Sequence, residues 1–132
     1  MVFQECKNKA SMVKKLTDAE GFRAGDNTWL REILHPANDP VNENYSLAHA
    51  HLEVGESSLP HKLMTSSETY FILEGNGTIL IDGKLYPMEK GDIIYVHSGA
   101  LQSVQNTGTV RLVFLCIVSP PWADTDEEIV GR

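Results

Sequence analysis

The stretch LPHKLMTSSETYFILEGNG, residues 59–77, sets His61 and Glu68 into an otherwise strand-like run that closes on glycines. An imidazole and a carboxylate offer two kinds of chemistry in such a place. They can share a divalent metal ion, since nitrogen and oxygen donors suit first-row cations. They can also form a hydrogen-bonded polar cluster with no ion. Glu68 sharpens the choice, because an ionised and unpaired carboxylate in an apolar interior is strongly destabilising. It must be protonated, paired with a charged His61, or bound to a cation. Residues two apart on a strand share a face, so His61 and Leu63 point the same way, as do Glu68, Tyr70 and Ile72.

The elements that must position these groups are short strands. From about residue 45, the segments YSLAHAHLEV, ETYFIL, GTILI, KLYPM, DIIYVH, LQSVQN and VRLVFLCIV alternate with glycine-centred turns. Such spacing of β-branched and aromatic runs predicts an antiparallel sandwich or barrel. Asp82-Gly83 predicts a two-residue hairpin turn with positive φ at both central positions. No segment sustains a 3.6-residue apolar repeat, so the fold class is all-β. TWLREILHPANDP reads as a strand closed by a proline-bounded loop, and SMVKKLTDAEGF as an edge strand or a short helix. The tail SPPWADTDEEIVGR leaves the sheet at Pro120, with Trp122 placed to anchor it. The expected organisation is one domain over residues 1–132, with a barrel core at about 30–121, an N-terminal arm at 1–29 and a tail at 122–132.

Charge and composition narrow the partners. The formal net charge is −7 and the basic residues are scattered. Nucleic acid is excluded as a partner because a phosphate backbone needs clustered Lys and Arg, and a membrane surface is excluded on the same ground. No apolar run approaches the ~18 residues a membrane helix needs, and the N-terminus lacks the apolar core of a signal peptide. Cys6 and Cys116 form no metal-type spacing, and Cys116 lies in an apolar strand as a buried thiol would. The expected location is the cytoplasm.

The motif extends beyond the opening stretch. Gly55 precedes His61, Leu63, Glu68 and Gly75, and Gly83 opens a second block through KGDIIYVHSGALQSVQN, with Gly91, Gly99, Gln102 and Asn106. This resembles the cupin superfamily, in particular its small single-domain members with an incomplete histidine set. The family's first motif reads G-x5-H-x-H-x(3,4)-E-x6-G, and its second roughly G-x5-P-x-G-x2-H-x3-N. The resemblance implies an antiparallel double-stranded β-helix, or jelly-roll barrel, that binds one divalent ion. Carried over by position, His61 and Glu68 fall on ligand sites and Gln102 on a site normally held by histidine. Leu63 replaces a further histidine and cannot bind metal, and His97 replaces the proline. The implied cofactor is a Mn, Fe, Ni or Zn ion on His61, Glu68 and Gln102, held less tightly than by a full histidine set because an amide oxygen is a weak donor.

Other histidines bear on the ligand count. His49 and His51 share one face of a strand whose opposite face carries Ala48, Ala50, Leu52 and Val54, and only one face can look inward. The two imidazoles therefore either reach the metal or lie on an outer or dimer face. His97 reads as a turn or pocket-mouth residue and His35 as a loop residue. Phe114, Cys116 and Val118 share a face and either line the pocket or pack the core.

The expected function is that of a small metal-binding cupin, acting on a small organic substrate by oxygenase, decarboxylase or isomerase chemistry. The alternative is a non-catalytic cupin that binds a small-molecule ligand or effector. Metal-free acid–base isomerisation would need a His–Asp pair in the lumen, and the sequence places none. No Ser, Cys or Thr stands in a nucleophile setting. A homodimer is expected, since sheet edges need cover.

Overall fold

The computed structural model describes residues 11–130. Eleven strands account for nearly half of them: β1 (Phe22–Arg23), β2 (Trp29–Leu34), β3 (Ser46–Leu52), β4 (His61–Leu63), β5 (Ser67–Glu74), β6 (Asn76–Ile81), β7 (Lys84–Glu89), β8 (Ile93–Val96), β9 (Gln102–Gln105), β10 (Leu112–Ser119) and β11 (Glu127–Ile129). Helical structure among the described residues is confined to two single 3-10 turns, Leu16–Asp18 and Asp124–Asp126. The strands form two antiparallel sheets, ordered β1-β2-β3-β10-β5-β8 and β11-β4-β9-β6-β7. The protein is an all-β jelly roll. No helix among the described residues is long and apolar enough to cross a membrane.

Alternation along the strands builds the interior. In β5, Glu68, Tyr70 and Ile72 are buried while Thr69 and Phe71 are only partly so. Leu52, Ile72 and Phe114 from the larger sheet pack with Ile79, Met88 and Val104 from the smaller one. The β6–β7 hairpin turns through Asp82 and Gly83 at φ 48° and 84°, the two left-handed positions the sequence predicts. Gly75, which ends the first motif, has φ +80°, and a Cβ there would press on the Arg111 carbonyl. Asn106, which ends the second motif, is a structural residue. Its amide donates to the Leu52 and Val110 carbonyls at 3.0 and 2.9 Å, and its Oδ1 accepts from Gly108 N–H at 3.0 Å.

Four expectations resolve or change. Ala50 and Leu52 of β3 are fully buried, so His49 and His51 lie on its outer face. Val54 does not join the inward apolar set, because β3 ends at Leu52 and Val54 is exposed. The chain leaves the sheet after Ser119 as expected, but it returns as β11 to pair with β4. The ambiguous N-terminal segment forms the first 3-10 turn and then β1, an edge strand. Cys6 lies outside the described residues.

Candidate metal and ligand site

His61 opens β4 with its ring almost fully buried, at 1% exposure. Its Nδ1 lies 2.8 Å from the Leu59 carbonyl oxygen, which fixes that nitrogen as the N–H donor. Nε2 is thereby turned toward the interior. Its nearest carboxylate oxygens are Asp26 Oδ2 at 3.7 Å and Glu68 Oε1 at 4.0 Å, both beyond hydrogen-bond length. Asp26, His61 and Glu127 each offer a ligand atom, and the three atoms lie within 4.8 Å of one another.

Asp26 and Glu127 come from the segments on either side of the expected core. The turn before β2 holds Asp26 in place, with Oδ1 accepting from Thr28 N–H at 3.1 Å and Thr28 hydroxyl at 2.8 Å. The Asp26 carbonyl accepts from Leu59 N–H at 2.7 Å, which ties the turn to the residue that orients His61. Asn27 follows in a left-handed conformation, φ 80°, with its carbonyl bonded to Arg23 at 2.9 Å. Glu127 is carried by β11, where it stands opposite Leu63. Asp126 beside it fixes the tail, accepting from Thr65 N–H and hydroxyl at 2.8 and 2.7 Å and from Ser66 N–H at 3.1 Å. Trp122 anchors the same tail, its N–H donating to Ser46 Oγ at 2.9 Å.

Gln102 stands directly beside His61 in the neighbouring strand. It is buried, and its Oε1 accepts the hydroxyl of Tyr70 from the opposite sheet. Leu63 is buried on the His61 face. His97 is exposed at the β8–β9 turn near Asp82, and His35 bonds the Trp122 carbonyl at 2.8 Å. Cys116 and Val118 line the cavity, whereas Phe114 packs in the core against Tyr70. Sequence reasoning missed Asp26 and Glu127. Both sit in short polar stretches that read as solvated turns, and no periodic pattern marks either.

These groups border an interior cavity of about 90 Å³ whose wall also includes Glu32, Ala48 and Trp122. Its electrostatics are dominated by carboxylates. Burial alone would lower the His61 imidazole, but Glu68, the charge on Asp26 and the Leu59 carbonyl outweigh it and hold the ring at about 9. Burial and the neighbouring charges of Asp26 and Glu68 push the Glu127 carboxyl up, against the opposing pull of His61. Burial, then the Glu68 charge, raises both the Tyr70 hydroxyl and the Cys116 thiol. The chemistry on offer is cation binding, or proton exchange through the His61–Asp26 pair.

A two-sheet jelly roll enclosing one histidine among acids defines a small barrel protein with an interior polar site. The family model for the cupin domain matches residues 48–118, and the chain belongs to that family. It is 40% identical over 105 residues to an uncharacterized protein of Methanocaldococcus jannaschii, a match covering 80% of this chain and 83% of that one. It is 35% identical over 89 residues to the oxalate-binding protein of Thermotoga maritima, covering 66% and 74% of the two chains. Among solved structures, a predicted oxalate decarboxylase from Thermotoga maritima superposes with a TM-score of 0.72 at 26% identity, over 83% of this chain and 99% of that one. The Streptomyces nucleoside dehydratase Pac13 shares the fold, with a TM-score of 0.73 at 17% identity over 92% of each chain.

Proposed function

We propose that the protein is a small-molecule-binding cupin whose cavity holds one divalent metal ion on His61 Nε2 and the carboxylates of Asp26, Glu68 and Glu127. The carrying observation is the convergence of buried Glu68 and partly buried Asp26 and Glu127 on the Nε2 of a buried imidazole whose Nδ1 is engaged by Leu59, which leaves Nε2 as the ligating nitrogen. Three carboxylates outnumber a single imidazolium, and a surplus of negative charge drawn partly out of water calls for a cation. The donor set fits the ion the family implies.

His61 and Glu68 are kept from the set expected by position. Asp26 and Glu127 take the place of Gln102, whose amide oxygen is engaged by Tyr70. One nitrogen with several carboxylates favours Mn or Fe within the Mn, Fe, Ni and Zn range. When bound, the ion would act as a Lewis acid toward a ligand oxygen. The chain's own residues orient that ligand. Trp122 and the small apolar side chains of the wall exclude water, and Tyr70 and Gln102 form a fixed polar pair beside His61. The name of the Thermotoga relative supports a small-ligand site in this family. A cytoplasmic homodimer belongs to the same reading, supported by the free buried thiol of Cys116 and by Ile93 and Tyr95 exposed on edge strand β8.

One observation favours a second reading. Asp26 at 3.7 Å from His61 is the His–Asp pair that metal-free acid–base chemistry requires. Metal analysis of the purified protein, with melting curves before and after chelation, separates the two. Bound metal adds about 2.7 kcal/mol when free ion is a hundredfold above its dissociation constant. Chelation should therefore lower the melting temperature, and His61→Ala should abolish both metal content and that sensitivity. An unchanged melting curve on stripping demonstrably metal-loaded protein would leave the acid–base reading standing instead.

A further inference from the structure

Two pieces of chain close the polar end of the barrel, and they are fastened unequally. The tail is held along its whole span. Trp122 is bonded by Ser46 at its N–H and by His35 at its carbonyl, Asp126 by Thr65 and Ser66, and Val130 N–H by the Pro60 carbonyl. The segment Phe22–Asn27 opposite is held by much less. β1 is a sheet edge that pairs with β2 only at Phe22 opposite Leu30 and Arg23 opposite Trp29. Further on, the Asp26 carbonyl accepts from Leu59 N–H. Yet Phe22, Ala24, Gly25 and Asp26 all line the cavity. A Cβ on Gly25 would stand 3.8 Å from Glu127 Oε1, so segment and tail meet over the site.

One side chain supplies the segment's remaining fastening. Arg23 lays its guanidinium over the Trp29 ring, 3.9 Å from the centroid, and pairs with Glu56 at 3.3 Å. It also donates to the Asn27 carbonyl and Oδ1 at 2.9 and 3.1 Å. Trp29 belongs to β2, and Glu56 is fixed in its own loop by the Glu53 N–H at 2.9 Å. Arg23 therefore ties both ends of the segment to the barrel wall. Between them Asn27 holds φ 80°, a conformation that costs a side-chain-bearing residue energy and persists because its surroundings enforce it. The ligands are graded in depth: the Asp26 side chain on this segment is 15% exposed, that of His61 beneath it 2%.

We infer that Phe22–Asn27 is the lid of this cavity and that Arg23, from outside, is its latch, setting how fast the ion and the ligand enter and leave. Arg23 touches neither, so it is a positioning residue. A short edge segment with solvent-facing fastenings opens at lower free energy than the whole fold, whereas the better-fastened tail stays in place. What passes beneath the lid rests on the metal reading; where the opening lies does not. Cys116, buried and lining the same cavity, reports the opening without any metal.

The test labels Cys116 with methyl methanethiosulfonate in metal-stripped protein carrying Cys6→Ser, with mass spectrometry reading the rate. Arg23→Gln should speed labelling about tenfold, the scale of one exposed ion pair, its hydrogen bonds and a cation–π contact together. Glu56→Gln should act in the same direction and less, and His35→Gln, which loosens the tail, should leave the rate unchanged. In metal-loaded protein, Arg23→Gln should speed both uptake of Mn²⁺ and its release to a chelator about tenfold, so that the dissociation constant moves less than about threefold. An unchanged labelling rate in Arg23→Gln would overturn the lid, as would a rise matched by an equal loss of global stability in denaturant. An equal rise in His35→Gln would make the tail the gate instead. Faster release with unchanged uptake would reduce Arg23 to a support for Asp26 in the ligand set. If the protein retains no metal, the metal reading fails, while faster Cys116 labelling in Arg23→Gln still identifies the lid.

Discussion

The two ends of the barrel interior are built from the same strands and behave as different materials. β5 carries Glu68 at one end and Ile72 toward the other, β9 carries Gln102 and then Val104, and β10 runs from Leu112 to Cys116 and Val118. At the apolar end, Leu52, Ile72, Ile79 and Leu112 are fully buried. At the polar end the strands alone leave a gap, closed by the Asp26 turn and by β11. A period of two makes such a division possible, since each inward position can be chosen separately without moving the backbone. Packing of the apolar end supplies stability, and the polar end gives part of it up for chemistry.

The sharpest way to break this comparison is to empty the apolar end. Phe114 is fully buried and packs against Tyr70 with ring centroids 5.5 Å apart. Phe114→Ala should cost about 3–5 kcal/mol by combined loss of transfer energy and cavity formation. Denaturant unfolding measures the loss, and metal content of the fraction that stays folded should match the parent. A loss below about 1 kcal/mol would mean that the two ends do not divide the work as described.

The next effect belongs to the polar end and depends on pH. The groups facing His61 are Asp26, Glu68, Glu127 and the Leu59 carbonyl; against burial, which lowers the imidazole, Glu68, Asp26 and the Leu59 carbonyl hold it at about 9, above the ordinary 6.5. A proton bound more tightly in the folded state stabilises that state fully below the unfolded value. In metal-free protein this stability, up to about 3 kcal/mol, should therefore be lost as pH rises from about 6.5 through 9. Metal requires the neutral ring, so the increment that metal adds should change in the opposite sense, growing with pH. Melting temperatures of stripped and loaded protein across this range should converge at low pH and separate at high pH. Parallel curves would show that His61 Nε2 does not meet the ion.

How much of this was legible in the sequence follows from the range of the interactions. The strands, the Asp82-Gly83 hairpin and the inward placement of Glu68, Tyr70 and Ile72 are local, written in alternation and turn chemistry. His61 and Glu68 stood out because each is polar on an apolar face. Asp26 and Glu127 did not, since nothing local separates them from solvated acids. Asp26 reaches the site through a left-handed Asn27 and a backbone bond to Leu59, and Glu127 through a three-residue strand paired with β4. Gln102 shows the reverse limit. Its position was readable, but its engagement with Tyr70 depends on how two sheets face each other.

The Asp26 turn gives a smaller, more specific test. Thr28 is buried and supplies both hydrogen bonds to Asp26 Oδ1. Thr28→Val keeps the shape and the backbone bond but removes the hydroxyl, which should cost about 1 kcal/mol. With Asp26 less firmly aimed, metal affinity should fall about tenfold, the scale typical of outer-sphere partners. Competition against a fluorescent chelator reads that change, and unaltered affinity would remove Asp26 from the ligand set.

The smallest expected effect concerns His49 and His51, whose spacing on one strand makes them resemble a ligand pair. They occupy the outer face of β3, where the His51 ring stacks on Trp29 with centroids 6.2 Å apart and lies 3.4 Å from Glu53. Burial holds both imidazoles below their ordinary value, with the charge of His51 adding to the effect on His49 and that of Arg111 to the effect on His51. At neutral pH they are therefore uncharged, and the pairing with Glu53 contributes little. The double variant His49→Gln and His51→Gln should lose no more than about 1 kcal/mol, mostly through the lost stacking on Trp29. Its metal content and chelator sensitivity should equal the parent's. The face of β3 that looks inward is Ala48, Ala50 and Leu52, and replacing residues on the opposite face cannot alter the inner coordination of an ion at His61. A fall in metal content with the fold intact would place a second metal site on the outer face, and the division between an acidic interior site and an ordinary outer sheet surface would no longer hold.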